Sequence, residues 1–560
     1  MIVRKEDSLW LLLAGSVPLL IPSIDDGVWH WEAWMHLGSS IGALFFLDLS
    51  ASSSGSSPMS FVTLEPSATR ERRAVKNDPR KDELGVAMSI VMVPVLLRLL
   101  AHHHSRTGNP QARPWTTYAK IATLLVIPSR NPMTIGSGIC VLAALLDPSI
   151  ELTTSVLLVV VWFLLLPRIV TTKFASSFTF GELKVVCLLL LVAFTEYARV
   201  IVAALQKSHR NTPELKDDLG HPSVISSLCP LVTLSGSLSC FAFTYLCSNL
   251  RGRLSWWLRV CLNVVGPLLF VDLSLYVSAY AATTTKDFSS SGFYDYHKFV
   301  PLLCIQWLIE FLTEEENGYE RFWGLLYWIG VLAVSSYPTY ALLTVAASTN
   351  DNNKRKPSVV VTRKWFHLVA VFLFGPVTWQ FPQLMTLSYA VASCILVVLE
   401  EMRSDAPLLQ AFYFAFLDDR KDVGDQMIVS HLFLIVGCAA PLWIGQILGT
   451  TSLPPSSLSL LGQFGIICIG IGDAMGAVIG KTWGKRKWGR NQRTLEGSLA
   501  MWCSMTGVGI IVCCTSAREC WALLVATIFT TILEAFTVQL DNLVLPLFGS
   551  CVILLILAAF

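Results

Sequence analysis

The sequence predicts an all-α fold, a polytopic bundle of transmembrane helices with no separate soluble domain. Three observations carry this reading. Of the 560 residues, 53% are hydrophobic and only 14% are charged, against roughly 25% charged in an ordinary soluble domain. The mean hydropathy is +0.58. Apolar runs of the length that crosses a bilayer, about 20 residues, recur along the whole chain. A soluble protein of this length would cover several cores with charge, and too little charge is present to do so. Soluble, fibrous and disordered classes are excluded. The net charge of +2 gives no reason to expect nucleic acid or another polyanion as a partner. The 15 cysteines include no C-x-x-C pair. Most of them, such as Cys187, Cys394, Cys468 and Cys551, sit inside apolar runs as small core residues do.

The elements follow in order. Arg4 and Lys5 precede the apolar run from Leu9 to Ser23. This resembles a signal peptide, but no small-x-small cleavage site follows, so it is read as an uncleaved first span. Further runs lie near 33–48, 84–101, 118–148, 150–168, 184–205, 223–247, 256–282, 297–313 and 322–347. Others lie near 365–380, 383–399, 427–449, 457–482, 498–514, 518–537 and 541–560. Allowing for short interfacial pieces, about 15 spans are expected. The connections are brief: a Ser-rich loop at 50–60, a charged stretch at 70–83, a polar stretch at 206–222 and a basic stretch at 351–364. No internal repeat is visible. The chain divides into an N-terminal multi-span region, 1–350, and a C-terminal membrane region, 351–560, which carries the unusual residues.

Charge sets the expected topology. Lys354, Arg355, Lys356, Arg363 and Lys364 form one basic cluster. Lys481, Lys485, Arg486, Lys487, Arg490 and Arg493 form another, with no acid among them. The positive-inside rule places both on the cytosolic side. Four apolar runs separate them, and an even number of crossings also puts them on one side. The acidic segment 400–425 falls on that side too, which does not conflict, because acids weigh little in the rule. Acidic and basic loops on one face suit a metal–nucleotide complex, and they equally suit two ordinary solvated loops.

The most distinctive stretch runs from Gly465 to Ser498. Asp473 lies inside an apolar run, eight residues before Lys481, or about 12 Å along a helix. A carboxylate there is costly without a partner, and acids within membrane segments act as metal ligands, proton carriers or counter-ions. Gly472, Gly476, Gly480 and Gly484 recur every fourth residue and line one helical face. Such a face admits the close approach of another helix or of a ligand. The stretch is not a P-loop, because Met475 stands where that motif needs its first glycine. A nucleotide would instead be held by backbone amides at glycine-rich turns and by lysine and arginine. After the basic cluster, Arg493-Thr494-Leu495-Glu496-Gly497-Ser498 opens a new apolar run. Thr494 or Ser498 suits a helix cap. Glu496 is either a first-turn acid complementing the helix dipole or, with Asp473, one of two carboxylates for Mg²⁺. Near the end, Glu534 and the run from Asp541-Asn542 to Pro546 place polar groups in apolar surroundings.

These residues resemble the dolichol kinase family, within a wider group of CTP-dependent membrane lipid kinases and cytidylyltransferases. The resemblance runs through the C-terminal 200 or so residues. It rests on Arg363-Lys364-x-Phe366-His367, Glu400-Glu401-x-Arg403, and Asp418 to Asp422 with Gly424, Ser430 and His431. It continues through Gly472-Asp473-Ala-Met-x-x-x-x-Gly480-x-x-x-Gly484, Arg493-Thr494-x-Glu496-Gly497-Ser498, and Glu534 with Asp541-Asn542-x-x-x-Pro546. Each motif is weak alone, and six in order are specific.

The resemblance implies transfer of the γ-phosphate of CTP to the hydroxyl of dolichol, giving dolichyl phosphate and CDP. It implies a multi-pass protein of the endoplasmic reticulum with a cytosolic site, and dolichyl phosphate destined for glycosylation pathways. Asp473 and Glu496 are then expected as catalytic and metal-binding residues, with Mg²⁺ or another divalent cation as cofactor. Gly472, Gly476, Gly480, Lys481, Gly484, Lys485, Lys487, Arg493, Thr494, Gly497 and Ser498 are expected to bind CTP. Arg363, Lys364, His367, Arg403, Asp422, Glu534, Asp541 and Asn542 are further candidates. Other chemistry of the group, a phytol-type kinase or a cytidylyltransferase, and transport through broken glycine-rich helices are the competing readings.

Overall fold

A computed structural model of the chain describes residues 318–347, 359–403, 430–448, 453–488, 493–537 and 541–559, with isolated residues between 255 and 312. The spans expected before residue 318 lie outside these, as does the count of about 15. Among the described residues the protein is helical, its single β-feature being an isolated antiparallel bridge between Lys487 and Thr494. The helices are α1 Gly318–Ala347, α2 Val359–Gln380, α3 Pro382–Met402, α4 Ser430–Leu448 and α5 Pro455–Ile466. A π-helical turn, Ile467–Asp473, joins α5 to α6 Ala474–Thr482 without a break. Then come α7 Leu495–Cys513, α8 Ala517–Phe536 and α9 Asp541–Ala559. Among the described residues three segments are long and apolar enough to cross a membrane: Pro455–Thr482, Leu495–Cys513 and Ala517–Phe536. Shorter apolar helices lie at Pro382–Val397, His431–Gln446 and Asp541–Leu557.

The chain forms two compact units. One holds, of the described residues, 318–347, 359–403, 430–448, 458–488 and 493–513. Its helices pack in chain order, α1 on α2, α2 on α3, α3 on α4, and the π-turn meets α2, α4 and α7. Leu384, Met385, Tyr389, Ala439, Leu442, Trp443, Ile466 and Ile469 build the core, and Phe374 meets Tyr389 edge to face with ring centroids 5.0 Å apart. Pro376 has no N–H, so the Phe372 carbonyl one turn earlier loses its helical donor. Tyr327 Oη donates to that carbonyl at 2.6 Å, and Trp328 Nε1 donates to the Leu373 carbonyl at 2.7 Å. Gln463 Nε2 donates to the Gly375 carbonyl at 2.8 Å. The weak point of α2 is thereby tied to both α1 and α5. At the crossing of α4 and α5, a Cβ added to Gly465 would lie 2.6 Å from the Gly437 carbonyl oxygen and 2.9 Å from Cys438 Cα. Only glycine lets these backbones meet so closely.

The other unit holds, of the described residues, 453–457, 514–537 and 541–559. There α8 packs along α9, and the Arg518 guanidinium donates to the Leu557 carbonyl near the end of α9. Ser516 caps α8 and forms a capping box with Glu519. Glu519 is 1% exposed. Its carboxylate accepts from Ser456 Oγ at 2.5 Å, Ser457 Oγ at 2.8 Å, Thr515 N at 2.9 Å, Thr515 Oγ1 at 3.0 Å and Ser516 N at 3.2 Å. A buried carboxylate with so many donors stabilises its surroundings, and its removal strands those donors.

Two stability predictions follow. Glu519→Ala should cost about 2–3 kcal/mol, read as a lower thermal unfolding temperature of the detergent-solubilised protein. Gly465→Ala should cost about 1–3 kcal/mol in the same measurement, because backbone rather than a movable side chain occupies the space.

Candidate functional site

The helix from Pro455 to Thr482 is regular except at the π-turn, which ends on Asp473. A π-turn inserts one residue and shifts every side chain after it around the axis. At Gly470, within this turn, an added Cβ would lie 2.3 Å from Val371 Cγ2. The missing side chain therefore seats α2 directly on the turn. That contact delivers two residues from one face of α2, three positions apart. The Lys364 ammonium pairs with Asp473 Oδ2. His367 Nδ1 lies 3.0 Å from the Ile469 carbonyl oxygen and 3.3 Å from Asp473 Oδ2. Both partners accept, so Nδ1 carries the hydrogen. His367 is 5% exposed and Asp473 is 9% exposed. A lone carboxylate in this apolar helix would be prohibitive, and the lysine makes it tolerable.

The glycine face of α6 meets another helix. Cβ atoms added to Gly472 and Gly476 would lie 2.5 Å from Met505 Cγ and 3.2 Å from Met501 Cβ, both on α7. One at Gly480 would lie 3.0 Å from Thr494 Oγ1, and one at Gly497 would lie 2.8 Å from the Gly476 carbonyl oxygen. The close approach expected of these glycines is present, and along this face it is filled by α7.

Between α6 and α7 the basic segment folds back on itself. Lys487 pairs with Thr494, Leu495 N donates to the Arg486 carbonyl at 2.8 Å, and Trp488 N donates to the Arg493 carbonyl at 3.0 Å. Trp488 Nε1 donates to Ser498 Oγ at 3.0 Å, so buried Ser498 pins the turn. Thr494 Oγ1 caps α7 by accepting from Gly497 N at 3.2 Å. Gly484 is tight as well, because an added Cβ would lie 2.2 Å from the Gly480 carbonyl oxygen. Lys481, Lys485, Arg486 and Lys487 are exposed, and so is Trp483 at 69%. Glu496 accepts from Lys485 N at 3.1 Å and from Arg486 N at 3.2 Å, with both of its oxygens engaged.

Other candidates are distributed more widely. Arg363 lies in the second turn of α2. Arg403 is buried and forks onto Glu400, with Nη2 to Oε1 at 3.0 Å. Asp422 lies outside the described residues. Glu534, near the end of α8, and Asp541, at the start of α9, are buried, and Asn542 is half-buried; all three belong to the other compact unit. Among the described residues no three His, Cys, Asp or Glu side chains converge where they would hold a metal ion. Asp473 is engaged by Lys364 and Glu496 by main-chain amides. The expectation that these two acids form a metal site does not fit the donors present. The π-turn, the Ile469 carbonyl and the Trp488–Ser498 bond left no signal in the sequence that spacing or composition exposes.

Comparison with known proteins adds a family. No family model and no solved structure matches the chain. Among curated proteins, the chain is 30% identical over 302 residues to dolichol kinase EVAN of Arabidopsis thaliana, covering 52% of this chain and 48% of that protein. It is 28% identical over 260 residues to dolichol kinase sec59 of Schizosaccharomyces pombe, covering 43% and 48%. It is 28% identical over 274 residues to human dolichol kinase, covering 45% and 48%. The chain spans about half the length of these curated relatives, and over that extent it is similar to them.

Proposed function

We propose that this protein is a membrane lipid kinase that transfers the γ-phosphoryl group of CTP to the hydroxyl of dolichol, releasing CDP. Its place is the endoplasmic reticulum membrane, with the basic turn facing the cytosol. The observation that carries the reading is the buried Asp473 carboxylate, held by Lys364 two helical turns below an exposed basic segment. Phosphoryl transfer needs little covalent participation from the protein. It needs positioning and charge neutralisation. The exposed Lys481, Lys485 and Lys487, with Arg493, are placed to receive a polyphosphate from water. The apolar helices below them suit a polyprenyl chain whose hydroxyl rises toward the same level. Asp473 would accept the hydroxyl proton as the oxygen attacks the γ-phosphorus and the bond to the CDP oxygen breaks. A divalent cation carried by the nucleotide would supply neutralisation of phosphate charge. The cytosolic orientation is supported by the two basic clusters, and the Lys364–Asp473 pair sets the first turns of α2 beside the Pro455–Thr482 helix about two turns before its end.

The test uses membranes containing the protein, dolichol and CTP labelled at the γ-phosphate. Label should enter the lipid fraction with the native protein. In Asp473→Asn the rate should fall at least 10²-fold while the protein still inserts. Cytidine retained in the lipid when the base carries the label would replace the kinase reading with cytidylyl transfer. Undiminished transfer by Asp473→Asn would remove Asp473 from the mechanism.

A further inference from the structure

We infer that Glu496 serves as the organiser of the basic turn, a positioning residue that acts through main-chain amides, and not as a metal ligand. Exposed Lys481, Lys485, Arg486 and Lys487 surround the beginning of α7, and a side-chain ion pair would be the usual destination for an acid among them. Glu496 instead accepts from the backbone N–H groups of Lys485 and Arg486. Those amides sit just beyond the end of α6, where no helical carbonyl is in register to receive them. The carboxylate therefore fixes the path of the chain leaving α6. The Lys487–Thr494 bridge, the Leu495 N bond to the Arg486 carbonyl and the Trp488–Ser498 bond fix the path returning to α7. The result is a turn paired at its base, with Lys485, Arg486 and Lys487 exposed and the Glu496 carboxylate spent on the backbone. A flexible turn would have to order these lysines when a polyanion arrives, and that ordering costs entropy. A turn already closed by Glu496 avoids the cost.

The geometry separates this role from metal binding. Glu496 Oε2 alone accepts from both amides, at 3.1 Å from Lys485 N and 3.2 Å from Arg486 N. A single neutral amide oxygen can replace it, whereas a metal ligand needs the charge. Glu496→Gln should therefore preserve the turn and Glu496→Ala should open it.

Two measurements decide the matter. Hydrogen exchange of the full-length protein in detergent reads the Lys485 and Arg486 amides. Exchange there should be at least tenfold faster in Glu496→Ala and within threefold of native in Glu496→Gln. Steady-state transfer from CTP to dolichol, which rests on the kinase reading above, should show KM for CTP raised at least tenfold in Glu496→Ala, with kcat within threefold. Glu496→Gln should stay near native in both constants, with an unchanged Mg²⁺ requirement. Loss of kcat to the same degree in both variants would overturn the inference, as would native-like exchange in Glu496→Ala. If the native protein transfers nothing from CTP, the kinase reading fails, and the exchange measurement still decides the role of Glu496.

Discussion

The arrangement depends on one ion pair, Lys364 with Asp473, enclosed by apolar helices. A carboxylate within a bilayer-spanning helix costs several kcal/mol unless a partner neutralises it. The partner comes from α2, more than a hundred residues earlier in the chain. For Lys364 to reach Asp473, α2 must lie against the π-turn, and Gly470 is what permits that approach. His367 then bridges the Ile469 carbonyl and the same carboxylate. Local helix geometry, interhelical packing and the charge at the centre of the site are thus consequences of one contact.

The glycines serve the same end from the opposite side. By admitting α7, Gly472, Gly476 and Gly480 place the beginning of α7 beside the end of α6, and the basic turn closes between the two. The site accordingly has two layers. A buried charge pair lies within the helices, and above it a turn held by hydrogen bonds presents cations to water. The proposed phosphoryl transfer from a nucleotide to a lipid alcohol needs both environments. The alcohol must stay in the bilayer while the polyanion never leaves the aqueous side.

Much of this was legible in the sequence. Apolar runs at 365–380, 383–399, 427–449, 457–482, 498–514 and 518–537 coincide closely with helices, because hydrophobic length is a strong signal in membrane chains. Asp473 stood out as an acid in apolar sequence, and the four-residue glycine spacing announced a close approach. The occupant of that approach was not legible, since a helix and a ligand call for the same small residues. The π-turn was invisible, because no residue preference marks it. Glu496 illustrates the limit most clearly. Next to six cations, Glu496 reads as a first-turn acid complementing the helix dipole or as a metal ligand, and only the folded backbone shows its oxygens turned to amides. Lys364 and His367 entered through a family motif, and their long-range pairing with Asp473 is a tertiary fact that helical periodicity cannot express.

The central claim is that Lys364 makes the buried Asp473 tolerable, and a double-mutant cycle tests it most directly. Thermal unfolding of the detergent-solubilised protein would be compared for the native chain, Lys364→Met, Asp473→Asn and the double variant. Lys364→Met alone should cost about 3 kcal/mol or more, because it strands a buried carboxylate. The double variant should recover at least half of that loss. Losses that simply add would contradict the account, since the two side chains would then not depend on each other.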